Sequence, residues 1–255
     1  MTATNSSPSL NGRGSNAWAR PWQHLKLDRR SPAYCRVTFD HPPINTITAT
    51  TVMELAELVG LIELDPDLNV VVFDSANDDF YLAHYDVEED PGETAALGAG
   101  PTGMHAWLDL LVRLSRAPVV SIASIRGRAR GAGSEFVLAC DMRFASRDNT
   151  LVGQLEVATG VMPGGGPMAR LSRLVGRGRA LEILLVGDDL DGPRAEQYGY
   201  VNRTIADDRL GDEIDAIATR LARFDHDAIA RIKAYVDSGL ERSLGGRVVE
   251  SLPDA

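Results

Sequence analysis

The chain has 255 residues, 44% hydrophobic and 24% charged, with a formal net charge of −10. A chain of this size can bury roughly 70–75% of its unfolded surface, so it needs no disulfide or metal staples to fold. The acidic balance argues against a nucleic-acid surface, which would cluster Lys and Arg, and no apolar run approaches the ~18 residues that a membrane helix needs.

The opening stretch MTATNSSPSLNGRGSNAWARPW lacks an apolar signal core. It reads as a disordered polar tail over 1–22, and cytoplasm is the expected location. HLKLD (24–28) and YCRVTFD (34–40) alternate apolar and polar residues around Arg29–Pro32, which predicts a hairpin. Val52, Leu55, Val59 and Ile62 recur at helical spacing within 48–64, with Thr48 or Thr50 as N-cap and Asp65-Pro66 as the stop. NVVVFD (69–74) and PVVSIASI (118–125) are short apolar runs of the kind found in strands buried on both faces. Between them lie a loop with embedded aromatics (75–92) and a helix over 104–116. After a glycine-rich turn come a helix through Cys140, strand pieces MRFAS (142–146) and LVGQLEV (151–157), and a second glycine cluster, PGGGPMAR (163–170), that starts a helix. GPRAEQYG has Pro193 where helices begin and Gly199 where they end. Amphipathic helices over roughly 208–223 and 226–240 complete the chain. The recurring unit is strand, strand, helix, so one α/β core with a helical C-terminal part is expected.

Cys35 and Cys140 fall in apolar contexts and read as buried free thiols. No CxxC pair or HExxH motif suggests a metal.

SIRGRARGAGSEFVLACD (124–141) places Gly127, Gly131 and Gly133 just before an apolar helical run, with Glu135 in its first turn. A dinucleotide fingerprint is one reading, but Phe136 stands where the third glycine belongs and Glu135 would face the pyrophosphate. A second reading is close helix–strand packing alone. The third is an oxyanion site, in which a backbone N–H at the helix start meets a carbonyl oxygen and the carboxylate handles a proton on the carbon beside it.

PVVSIASIRGRARGAGSEFVLACDMRFAS and the following LVGQLEVATGVMPGGGPMARLSRLVGRGRALEILLVGDDLDGPRAEQYGYVNR resemble two successive segments of the enoyl-CoA hydratase/isomerase (crotonase) superfamily. The likeness runs from about His24 to Lys233. It implies an α/β fold, a crotonase-like spiral of strand-strand-helix units over 23–205 that carries the active site. A helical C-terminal region over 206–255 would serve oligomerisation as a homotrimer or a dimer of trimers. It further implies an acyl-CoA thioester as substrate, with coenzyme A brought by the substrate and no separate cofactor.

Residue by residue, the resemblance implies catalysis by Glu135 and Glu156, and an oxyanion hole from the backbone N–H groups of Ala83 and Ala132. Substrate contacts would come from His84, Tyr85, Asp86 and Asn45. For Asp86 a structural role in closing the oxyanion loop stands beside substrate contact. For His84 shaping the pocket wall comes before proton transfer, and for Asn45 turn stabilisation stands beside a place near the CoA adenine. PGGGPMAR becomes a packing turn near the acyl pocket, and the arginines of 170–179 read as helix-surface charges. Three positions depart from the family pattern: Ala132 and His84 replace glycines, and Leu155 replaces the proline before the second glutamate. The chain also stops short of a further C-terminal helix that many relatives carry. Retention of both acids favours hydration of a trans-2-enoyl-CoA. The alternatives are an enoyl-CoA isomerase or other crotonase-type enzyme, and a degenerate acyl-CoA-binding or scaffold protein.

Overall fold

The computed structural model describes residues 18–238. Most of the expected N-terminal tail and the end of the expected C-terminal region lie outside the described residues.

Strands β1 (Leu25–Ser31) and β2 (Tyr34–Phe39) pair antiparallel, as their alternation predicts. Helix α1 (Ala49–Leu64) starts at Thr48, whose side chain accepts from Thr51 N while the Thr51 side chain reaches back to the Thr48 backbone, a capping box that satisfies two otherwise orphaned donors. Strand β3 (Val70–Ser75) runs parallel to β2, and β5 (Val120–Arg130) and β6 (Met142–Gly153) continue the sheet in parallel. The short strands β4 (Phe80–Leu82), β7 (Leu190–Asp191) and β8 (Arg203–Ile205) join its ends, β4 on β5 and the other two on β6. The helices between and after them are α2 (Pro91–Ala96), α3 (Ala106–Arg116), α4 (Ala132–Ala139), α5 (Pro167–Val175), α6 (Arg177–Val186), α7 (Gly192–Tyr198), α8 (Leu210–Leu221) and α9 (His226–Ser238).

Strand periodicity decides which core each side chain enters. Val71 and Phe73 face a core built with Leu55 of α1, Leu110 of α3 and Phe136 of α4. Phe136 meets the edges of Phe39 and Phe73 with ring centroids 5.2 and 5.1 Å away. Val70 and Val72 face the other way, with Ile122 and Phe144, onto Ile214 and Ala218 of α8 and Ile229 of α9. Both faces of the parallel strands are thus covered, which is why they read as continuous apolar runs.

The structure differs from the sequence reading in three places. MRFAS and the first three residues of LVGQLEV belong to one strand, β6, which ends at Gly153 and meets β5 in two registers separated by a shift between Ile125 and Gly127. Gly127 therefore lies inside β5, and only Gly131 makes the turn into α4. The polar tail ends earlier than Trp22: Trp18 and Trp22 pack against the larger core, because two indoles carry more apolar surface than the short polar run around them can keep in water. Cys35 and Cys140 are buried free thiols, as read, and burial pushes both up to about 12.

Candidate active site

The site forms where the far end of β5 turns into α4. Gly131 has φ 50° and ψ −121°, a backbone that side-chain-bearing residues rarely adopt, so the chain can reverse there without strain. Its N–H donates to Gly153 O at 3.0 Å and its carbonyl accepts from Glu135 N at 2.9 Å. No side chain caps this helix, and the Ala132 N–H has no protein partner among the described residues.

A second strip of backbone approaches from the loop after β4. Here the structure corrects the sequence reading. The Ala83 N–H donates to Asn45 O at 3.2 Å and is not available to a substrate. Ile47 N donates to His84 O at 2.9 Å, and Asp86 N donates to Ile47 O at 2.8 Å. In a trans peptide the carbonyl and the next N–H point in opposite directions. With the His84 carbonyl turned to Ile47, the Tyr85 N–H points away from that segment, and among the described residues nothing accepts from it. Gly133 lets this loop lie against the helix start, since a Cβ there would sit 2.1 Å from Leu82 O. Tyr85 N–H on the loop and Ala132 N–H at the helix start are therefore two donors left without a protein acceptor among the described residues.

The other loop residues divide by contact. His84 lies beside the turn, its Cβ 3.8 Å from where a Gly131 side chain would begin, and its Nδ1 is 2.7 Å from Tyr85 O. Tyr85 OH bonds Thr94 Oγ1. Asp86 Oδ1 accepts from Glu88 N at 2.9 Å, which closes the loop on itself. Asn45 is buried at a positive φ of 55°; its side chain accepts from His41 N at 2.7 Å and donates to Ser75 Oγ at 2.9 Å. With its amide consumed inside the protein, Asn45 is a turn residue, and its place among substrate contacts is corrected accordingly.

Two carboxylates stand near this turn on separate elements, Glu135 in the helix that follows it and Glu156 against Gly131 itself. Glu135 is buried in the first turn of α4, where Oε2 accepts from Trp107 Nε1 at 2.6 Å and Oε1 from Gly165 N at 2.7 Å. Arg170 fixes the turn that supplies the second donor, bonding Gly165 O at 2.6 Å and Leu111 O at 3.2 Å. Arg170 is thus no surface charge: it is half-buried and satisfies carbonyls in the wall of the site. Glu156 opens a short 3-10 turn (Glu156–Thr159) after β6, and its Oε1 is 3.1 Å from where a Gly131 Cβ would stand. Burial, and next among the raising influences the Glu135 charge, hold its carboxyl above the ordinary glutamate range, partly offset by hydrogen bonds from its own and Leu155's N–H groups. A cavity of about 720 Å³ opens at the opposite end of α4 around Leu138 and Cys140, and neither carboxylate lines it.

The sequence and fold that carry this site have known relatives. A family described as enoyl-CoA hydratase/isomerase matches residues 29–249. The chain belongs to the enoyl-CoA hydratase/isomerase family. A crystal structure of a candidate enoyl-CoA hydratase from Streptomyces avermitilis superposes with a TM-score of 0.80 at 42% identity, covering 86% of this chain and 79% of that one. The short-chain-enoyl-CoA hydratase of Clostridium acetobutylicum is 30% identical over 210 residues, 80% of this chain and 78% of its own. The crotonyl-CoA hydratase of Syntrophomonas wolfei is 29% identical over 203 residues, 79% of this chain and 76% of its own. The fold is the crotonase fold that the sequence implied.

Within this hydratase/isomerase framework, the residues that hold Glu135 were not read from sequence. Trp107 offered one signal: an indole inside an apolar helix face needs an acceptor for its N–H once buried. The Gly164–Gly166 run offered another, since an unpaired backbone N–H in a glycine turn before a helix seeks an anion. Leu155, in the place of proline, leaves Glu156 anchored by contacts rather than by ring geometry; its neighbour Gln154 is completely buried and reaches both carboxylate oxygens.

Proposed function

We propose that this chain hydrates a trans-2-enoyl-CoA thioester to the 3-hydroxyacyl-CoA. The observation that carries the reading is the pair Glu135 and Glu156: they stand on different elements, near enough for the Glu135 charge to bear on Glu156, with Glu156 against the Gly131 turn and Glu135 in the first turn of the helix that follows it. Tyr85 N–H and Ala132 N–H would hold the thioester oxygen and stabilise the negative charge that gathers there as water adds; one such donor is worth about 2.7–4 kcal/mol in a transition state. Water delivers hydroxide to C3, its proton passes to a carboxylate, and a proton reaches C2, so the sum is one water added across the double bond. Two acids flanking the substrate suit that pair of proton transfers. Burial and the Glu135 charge hold Glu156 above the ordinary range, which makes it a better proton acceptor than a free glutamate. The reading calls on no group beyond the coenzyme A carried by the substrate. Assembly as a homotrimer or a dimer of trimers belongs to the same reading.

Crotonyl-CoA incubated with the protein should lose its conjugated thioester absorbance. Glu135→Gln and Glu156→Gln should each slow this by roughly 10²–10⁴-fold. Unchanged rates in both variants would remove the assignment. Appearance of conjugation from a 3-enoyl-CoA would mark an isomerase, and binding of thioesters without turnover would mark a scaffold.

A further inference from the structure

Behind Glu156 runs a chain of polar groups that the hydration scheme does not use. Gln154, Ser134 and Tyr200 are all completely buried. Tyr200 OH lies 2.6 Å from Ser134 Oγ. Ser134 Oγ lies 2.7 Å from one end of the Gln154 amide, whose other end is 3.0 and 3.1 Å from the two Glu156 oxygens.

The direction of the protons along this chain follows from its far end. Among the described residues Tyr200 OH has no acceptor besides Ser134, and burial holds its ionisation well above the ordinary range, so it donates. Ser134 then accepts from Tyr200 and places its single proton on its remaining neighbour, the Gln154 oxygen. That turns the Gln154 NH₂ group onto Glu156. The opposite orientation would gain a 3.4 Å contact with Gly131 O but would set the amide oxygen against the Glu156 oxygens. Only a protonated Glu156, able to donate, suits that orientation.

We propose that Tyr200 is a positioning residue for the hydration: through Ser134 it holds the Gln154 amide with its N–H groups on Glu156, fixing that side chain and favouring its carboxylate form. The inference rests on the reading of Glu156 as a proton-transfer group. The other charge bearing on Glu156 is Glu135, which opposes ionisation. His84 stands across Gly131 with its Nδ1 engaged by Tyr85 O.

Tyr200→Phe removes only the hydroxyl. It should lower kcat for crotonyl-CoA about three- to tenfold with KM unchanged. It should also move the acid limb of the pH profile upward by about half a unit or more, as Glu156 loses support for its charge. Ser134→Ala breaks the next link with a smaller deletion and should give the same shift, and the double variant should go no further than either single. Carboxyl ¹³C titration of Glu156, assigned by its loss in Glu156→Gln, reads the same shift without turnover. A wild-type pH profile and Glu156 titration in both single variants, with only a lowered melting temperature, would overturn the inference. Full activity in Glu156→Gln would instead overturn the reading beneath it.

Discussion

At the scale of single residues, the two glutamates differ in what surrounds them. Glu135 is clamped by Trp107 and Gly165, one donor for each oxygen. Glu156 is half-buried, faces the Glu135 charge and titrates above the ordinary glutamate range. The folded protein therefore keeps the Glu156 proton to higher pH than the unfolded chain does. Below the ordinary range both states are protonated and the group costs nothing. As pH rises through the raised value, the folded state must ionise a group it holds unfavourably, and stability falls. Glu156→Gln removes that loss. At pH 8 its urea midpoint should equal or exceed that of the unaltered protein, and the advantage should vanish below the ordinary glutamate range. A lower midpoint at pH 8 would show that the carboxylate supports the fold, contrary to its surroundings. The comparison also separates a catalytic defect in this variant from a folding defect.

At the scale of elements, the site depends on how closely α4 lies against the loop after β4. The close contact is between Gly133 and Leu82 O. A methyl group there must push the strip that carries Tyr85 N–H away from the strip that carries Ala132 N–H. Gly133→Ala should cost about 1–3 kcal/mol in stability, as overpacking usually does, and should lower crotonyl-CoA turnover by a larger factor than that loss alone explains. Folded, less stable protein with undiminished kcat would show that the two donors need not converge. This contact also marks the limit of what the sequence discloses. The hairpin, α1 with its Thr48 cap, and the two-faced strands followed from local period and capping, because those signals lie within a few residues of each other. Glu135 and Glu156 were legible through the two resembling segments. The free donor of the β4 loop was not: whether Ala83 or Tyr85 offers its N–H depends on pairing with residues 45–47, some 40 positions away, and backbone pairing leaves no mark on side-chain identity. Three-residue β4 and the continuity of β6 were hidden for a like reason, since both are defined by their neighbour β5.

At the scale of the whole molecule, the sheet's second face is closed by α8 and α9, but unequally. Leu210, Ile214 and Ala218 of α8 are buried, whereas of α9 only Ile229 is. Ile232 and Val236 of α9 are 66% and 76% exposed, and with Leu174 and Phe224 they line the cavity at the far end of α4. Apolar side chains gathered in one concave area, rather than scattered singly, mark a surface that another body covers. No described helix is long and apolar enough to cross a membrane, so these residues form no spanning segment. The proposed assembly gives them a partner, the same surface of another copy or one adjoining it. Light scattering on the purified protein should find three or six copies of the 27.5 kDa chain. Ile232→Asp with Val236→Asp should shift that mass towards the monomer while leaving the far-ultraviolet circular dichroism in place, because neither side chain supports the core. An unaltered protein that is monomeric at micromolar concentration would remove the trimer. An altered one that keeps its mass would move the interface away from α9. Because the active-site turn and this groove sit at opposite ends of α4, the altered protein should keep its turnover of crotonyl-CoA if the site is complete within one chain, and should lose it if a neighbouring copy finishes the pocket.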